Sequence, residues 1–169
     1  MATIYLCLLL AACPRAAGDE PGGPAVGAIV PGAVFLDTKD RPVGLADFHR
    51  PVVVLNFFAY WCETWLVQWP QLVELAPLRR KLDFDFLSIS IDGQYREQLA
   101  QVCGKGSPPF PVLYDPGGHL AGRLGVRRVP TVVVLDRQRR ITYVHEGYPG
   151  NAEVLKAVRA AAVSQEAPR

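Results

Sequence analysis

The run Val52 to Phe58, VVVLNFF, constrains the fold more than any other stretch of the chain. It is an almost unbroken series of apolar, largely β-branched residues, bounded in front by Pro51. Alternation of apolar and polar residues marks a strand with one wet face; a continuous run of this length marks a strand covered on both faces, at the centre of a sheet with helices on either side. Residues Leu66, Trp69, Leu72, Val73 and Ala76 then recur at helical spacing as far as Pro77, with Pro70 inside the helix removing one hydrogen bond and bending its axis. Further on, residues 84–91 read as a strand, 95–102 as a crossover helix, 131–135 and 141–146 as an antiparallel hairpin, and 152–162 as a closing helix. The order is βαβ followed by ββα, an α/β fold.

Cys62 sits where the buried strand hands over to the helix. Unpaired backbone N–H groups and the positive end of the macrodipole in a first helical turn favour thiolate over thiol, which makes a sulfur there nucleophilic. Free cysteine is also among the most buried residue types, so a packed, inert thiol is the plain alternative. The carboxyl edge of an open α/β sheet, where ligands bind, favours the reactive thiol. Glu63 interacts well with the helix start but puts negative charge beside the sulfur, and Thr64 completes the turn. Trp65 stands where a Cys-x-x-Cys pair has its second sulfur, and an indole cannot resolve a mixed disulfide by internal attack. Trp61, Trp65 and Trp69 recur every fourth residue, which places them in one stripe. Core packing is the default reading of such a stripe and Trp69 is expected there, whereas Trp61 and Trp65 bracket an outward-facing site, Trp65 shielding Cys62 or gripping a ligand. Gln68 is a neutral amide that cannot take up a proton as a glutamate could, and a surface glutamine without a role is the equal alternative.

The stretch PVVVLNFFAYWCETWLVQWP, with GAVFLDTKDRPVGLADF before it and FPVLYDPGGHLAGRLGV and VRRVPTVVVLDRQRRITYVHEG after it, resembles the thioredoxin fold, and within it the envelope thiol-disulfide oxidoreductases of the TlpA and ResA type. The resemblance runs from about residue 26 to residue 163. It implies a three-layer α/β/α architecture with a mixed central sheet and an N-terminal β-hairpin extension. It also implies that Val129-Pro130 forms the cis-proline loop facing the active cysteine, with Val129 pairing its backbone to an extended substrate and Thr131 beginning the next strand. Without the family, Pro130 reads as a proline that merely opens a strand. Arg127 and Arg128 flank that loop, as a source of positive potential or as a solvated patch. The chain departs from the family at Trp65, at Gln68, where many relatives carry a glutamate, and at a loop over residues 136–140 that lacks the usual glycine.

The implied function is thiol-disulfide exchange through the single thiol Cys62, with glutathione or another external thiol releasing the mixed disulfide and envelope protein thiols or disulfides as partners. A redox-inactive binding or chaperone module for extended peptides is the alternative from a different class. A thiol peroxidase is an outside possibility, since Ala59-Tyr60-Trp61 precedes the cysteine where a peroxiredoxin has proline and threonine. His49, His119 and His145 are scattered, and neither metal-ligand spacing, a haem motif nor a phosphate loop occurs, so no cofactor or metal is indicated. A net charge of +2 with 20% charged residues gives no nucleic-acid surface. A monomer is expected.

With 169 residues the chain has room for one domain of the usual size of about 100 to 150 residues. Residues 1–18 read as a leader, 19–25 as a linker, 26–163 as the domain and 164–169 as a tail. The leader's apolar core is far shorter than the ~20 residues that span a bilayer. Leu10-Ala11-Ala12-Cys13 resembles a lipobox, making Cys13 a candidate lipid anchor on an envelope protein; a plain secretory leader cut near Ala17 is the alternative, because Met1 to Thr3 carry no lysine or arginine. Cys7 leaves with either leader. Cys103, at the end of a helix of about eight residues rising ~1.5 Å each, is expected near the far sheet edge, beyond the ~7 Å that a disulfide to Cys62 allows.

Overall fold

The computed structural model describes residues 23–92 and 108–163. Four of the expected elements recur with small changes at their ends: the long strands β3 (Val52–Phe58) and β4 (Phe84–Ser90), and the hairpin strands β6 (Thr131–Leu135) and β7 (Ile141–Glu146). They join β1 (Val34–Leu36), β2 (Pro42–Gly44) and β5 (Val112–Tyr114) in one seven-stranded sheet of order β2-β1-β5-β4-β3-β6-β7. β3 pairs parallel with β4 and antiparallel with β6, so the sheet is mixed and β3 lies in its interior. Every residue of β3 and β4 is buried, as the unbroken apolar run of β3 requires. The N-terminal hairpin β1–β2 docks through β1 on β5.

Helices cover both faces. On one, α1 (Glu63–Leu75) and the closing helix α4 (Asn151–Val163) pack Trp65, Trp69, Leu72, Val154, Ala157 and Val158 over Val54, Phe58, Phe86 and Tyr114. On the other, α3 (His119–Leu124) sets Leu120, Ala121 and Leu124 against Phe35, Leu55, Phe57 and Leu87. The fold is thus the three-layer, thioredoxin-like α/β/α arrangement with an N-terminal hairpin.

Two short helices escape the helical-period pattern. α2 (Leu78–Lys81) is a single turn after Pro77. The six-residue α3 is held instead by Asp115, whose buried carboxylate accepts the Leu120 N–H at 3.1 Å and the Ala121 N–H at 2.8 Å. Val73, one of the residues recurring at helical spacing, is 38% exposed, whereas Leu75 is fully buried on α1. The β6–β7 turn manages without glycine because Arg139 adopts the left-handed conformation at φ 61°, tied by its guanidinium to the Arg50 and Phe48 carbonyls. The expected crossover helix 95–102, Cys103, and the leader with Cys7 and Cys13 lie outside the described residues.

Candidate functional site

The chain leaves β3 at Phe58, turns through buried Ala59 and Tyr60, and reaches Cys62 as the residue capping α1. The turn is closed by the Cys62 N–H donating to the Ala59 carbonyl at 3.1 Å, and the helix opens with the Trp65 N–H donating to the Cys62 carbonyl at 3.0 Å. Cys62 is a free, partly buried thiol. Its backbone is extended, at φ −87° and ψ 103°, and its sulfur does not cap the helix N–H groups. The Cys62 Sγ–H donates instead across the sheet edge to the Val129 carbonyl at 3.5 Å. Two segments far apart in sequence therefore meet at this sulfur.

The Val129-Pro130 peptide is cis. Pro130 is buried, and Val129 packs partly buried against the core beneath β3. The Thr131 hydroxyl donates to the Arg128 carbonyl at 2.7 Å and the Gly147 N–H donates to the Pro130 carbonyl at 2.7 Å, so the loop is held from both sides. Arg127 and Arg128 are exposed, and Arg128 is turned toward Glu146 at 3.1 Å. The Arg128 charge is thus engaged on the far side of the loop.

Around the sulfur, Trp61 is 66% exposed, Glu63 and Thr64 are exposed, and Val67, one turn beyond Glu63, is 76% exposed. Trp61, next to Cys62 in the chain, and Val67 on the outward face of α1 are thus exposed apolar side chains at this end of the sheet. Val67 was not among the residues singled out by sequence; its spacing from Glu63 and Thr64 puts it on the outward face, opposite Trp65 and Trp69, and that is the signal that finds it.

One expectation is overturned, and one of the two readings of Gln68 is excluded. Trp65 neither faces outward nor grips a ligand: it is fully buried, stacked on Phe58 with ring centroids 4.2 Å apart and planes within 8°, and met edge-on by Tyr60 at 5.5 Å and by Trp69 at 5.1 Å. A position one turn into α1 points at the sheet rather than at solvent, and only Trp61, which precedes the helix, escapes the stripe. Gln68 is not a surface residue either: it is 3% exposed, one turn below Trp65, and neither atom of its amide has a hydrogen-bond partner. Among the described residues the site holds one sulfur, packed against an aromatic cluster that includes Trp65, with a buried neutral amide one turn on from Trp65.

Tyr148 packs against the same core and donates its hydroxyl proton to Asn151 Oδ1, while Asn151 Nδ2 donates to the Gln71 carbonyl at 2.9 Å, locking α4 to α1. Burial, with Glu74 nearby, pushes the Tyr148 hydroxyl far above its ordinary range, so it stays a proton donor. Among the described residues no group of three or more His, Cys, Asp or Glu side chains converges as metal ligands do.

This geometry has close counterparts. A thiol-disulfide oxidoreductase ResA of Geobacillus thermodenitrificans is 26% identical over 151 residues, covering 87% of this chain and 86% of that protein. The crystal structure of the exposed lipoprotein thioredoxin Etrx1 of Streptococcus pneumoniae superposes with a TM-score of 0.66 at 23% identity, over 77% of this chain and 99% of that one. StoA of Bacillus subtilis superposes with a TM-score of 0.63 at 16% identity, over 78% and 98%. At those identities the two structures speak to the fold alone. The family model named Redoxin matches residues 25–160, most of the chain, and the chain therefore belongs to the redoxin family.

Proposed function

We propose that this chain is a thiol-disulfide oxidoreductase of the cell envelope that works through the single thiol of Cys62 and relies on an external thiol for release. The observation that carries this is the pairing of a partly exposed Cys62 sulfur with a fully buried Trp65 at the position one turn on. The Cys62 thiolate attacks one sulfur of a substrate disulfide; a Cys62–S–S–R bond forms, the other substrate sulfur leaves as thiolate and takes up a proton. A small thiol, with glutathione as the natural test, then attacks the Cys62 sulfur and expels R as a thiol. A second small thiol attacks the sulfur of the first, regenerating Cys62 and leaving the oxidised small disulfide. The balance is one substrate disulfide and two small thiols converted to two substrate thiols and one small disulfide.

In this mechanism the Val129 carbonyl holds the resting thiol, and on ionisation the sulfur has the N–H groups of the first turn of α1 to move toward, since no side chain caps them. The Val129 backbone, bonded to the sulfur, is the segment with which a substrate strand would pair over the thiol, with the exposed Trp61 and Val67 as apolar contacts. Residues 1–18 act as the leader, with Cys13 as the lipid anchor, which fits the extracytoplasmic character of an exposed lipoprotein thioredoxin among the structural counterparts. No helix among the described residues is long and apolar enough to cross a membrane.

Reduction of insulin, with glutathione and with dithiothreitol as the reductant, tests the assignment. Turnover that disappears in Cys62→Ser supports it. The exposure of Trp61 and Val67 favours one second reading, a binding module for extended peptides, which is supported if Cys62→Ser binds unfolded peptides unchanged and the native chain shows no turnover.

A further inference from the structure

At the opposite edge of the sheet from Cys62, the start of β3, the start of β4 and the turn α2 enclose a cleft of about 570 Å³ whose lining includes Arg50, Arg79, Arg80, Asp85 and Pro109. β3 has seven residues, so at ~3.3 Å each the cleft lies about 20 Å from the thiol. Three guanidinium groups and one carboxylate face this space. Asp83 takes up part of the Arg50 charge from outside, at 2.7 Å, but the ion pairs with Asp85 are loose: 3.5 Å from Arg50 and 3.6 Å from Arg79.

Arg79 is the least satisfied of the three. Only 18% of its side chain is exposed, one of its terminal nitrogens donates to the Pro109 carbonyl at 3.3 Å, and its Nε is buried from solvent without an acceptor among the described residues, so its terminal nitrogens are the groups left for a ligand. Burial pushes its pKa down, against the pull of Asp85, as it does for Arg139, which also faces Asp85. Arg80 is exposed on α2. Asp83 and Asp85 balance two of the three cationic charges; the remaining guanidinium charge, together with loosely paired forks in a concave space, is what an oxyanion matches, because a fork can donate two parallel N–H bonds to it.

We propose that this cleft binds a phosphate group, free or carried on a larger molecule, at a site independent of the Cys62 chemistry. Arg79 and Arg80 supply the forked donors, Arg50 adds charge, and Asp85 orients Arg50 and Arg79. The cleft is much larger than one phosphate, which leaves room for part of the body of a phosphate-bearing molecule; a second cleft of about 540 Å³ shares Arg50 and Asp85 with it and is lined also by Asp47, His49, Asp83 and Arg137.

The test is a titration of the intact chain with inorganic phosphate at constant ionic strength, followed by amide NMR shifts, beside co-sedimentation with phosphatidylcholine vesicles with and without phosphatidic acid. Saturable shifts in residues flanking the cleft, weakened by about tenfold in Arg80→Glu, support the site. Sedimentation that needs both phosphatidic acid and Arg80 supports the same site with a lipid-borne phosphate. Absence of both responses, or responses indifferent to Arg80→Glu, overturns it. Arg80 lies on the surface away from the buried network, so Arg80→Glu is expected to fold, and insulin reduction by this variant is expected to equal that of the native chain. Arg79→Lys, which keeps the charge and loses the fork, is expected to weaken binding as well, while simple screening would leave it unchanged.

Discussion

The Cys62 sulfur and the Val129 carbonyl, 67 residues apart in sequence, share a 3.5 Å hydrogen bond in which the thiol donates. A hydroxyl at the same place keeps that donor, so Cys62→Ser is expected to fold as the native chain does, within about 0.5 kcal/mol by urea denaturation. Its insulin-reducing activity is expected to fall to the uncatalysed background. Residual turnover in Cys62→Ser would place the reactive sulfur elsewhere.

Gln68 is expected to be a cost to the fold. Its amide is 3% exposed with neither atom paired, and a buried polar group without a partner costs about 1 to 3 kcal/mol. Gln68→Met, similar in length and apolar, is predicted to raise the urea midpoint by the equivalent of about 1 kcal/mol. Gln68→Glu is predicted to do the reverse in a pH-dependent way. Burial raises the folded-state pKa of that carboxyl, so its proton is held in the fold and released on unfolding; stability then falls as pH rises from the unfolded glutamate value of about 4.3 through the folded one. Denaturation midpoints at pH 4 and pH 8 read the difference.

The fold was legible where hydrophobic pattern alone decides. Val52 to Phe58 announced a doubly covered strand, and β6 and β7 fell where their apolar runs end. α2 and α3 were not legible, since four and six residues are too few for a helical period, and α3 depends on a carboxylate at Asp115 bonding five and six residues ahead. At the site, the strand-to-helix handover located Cys62, while the Pro130 loop beside it followed from the family resemblance and not from the local pattern, which reads Pro130 as a strand opener. Spacing could not tell Trp61 from Trp65: indoles four apart share a helix face only if both are in the helix, and the helix begins at Glu63. Gln68 stood open between a site amide and a role-less surface residue, because a polar residue on an amphipathic helix defaults to solvent and only the packing of α1 reveals its burial.

Asp37 is expected to set part of the acid sensitivity of the β1–β2 hairpin. Its carboxyl is held down at about 2, first by the backbone N–H of Arg41, then by the Arg41 guanidinium and the Lys39 N–H. A depressed folded-state pKa contributes stability that is present above the unfolded value of about 3.9 and is lost as pH falls through the folded one. Asp37→Asn, which retains an acceptor in the turn, is therefore predicted to flatten the pH dependence of stability between about pH 4 and pH 2. Urea midpoints for both chains across that window check it, and parallel curves would count against the assignment.

Restoring a second sulfur at position 65 carries a structural penalty that the motif alone conceals. Trp65 is fully buried and stacked on Phe58 at 4.2 Å, with Tyr60 and Trp69 against its edges. Removing a buried tryptophan side chain costs about 3 to 5 kcal/mol, and cysteine refills little of that volume. Trp65→Cys in reduced form is therefore predicted to melt roughly 10 °C below the native chain. The new thiol lies one turn from Cys62, the spacing at which a mixed disulfide is resolved internally, so dithiothreitol-driven insulin reduction is expected to rise at temperatures where the variant remains folded. Trp65→Ala separates the two effects: it should share the loss of stability and gain no activity. If Trp65→Cys keeps the native melting temperature, the indole is not the packing element that its contacts indicate; if it stays folded and gains nothing over Trp65→Ala, Cys62 is not placed for attack on a disulfide.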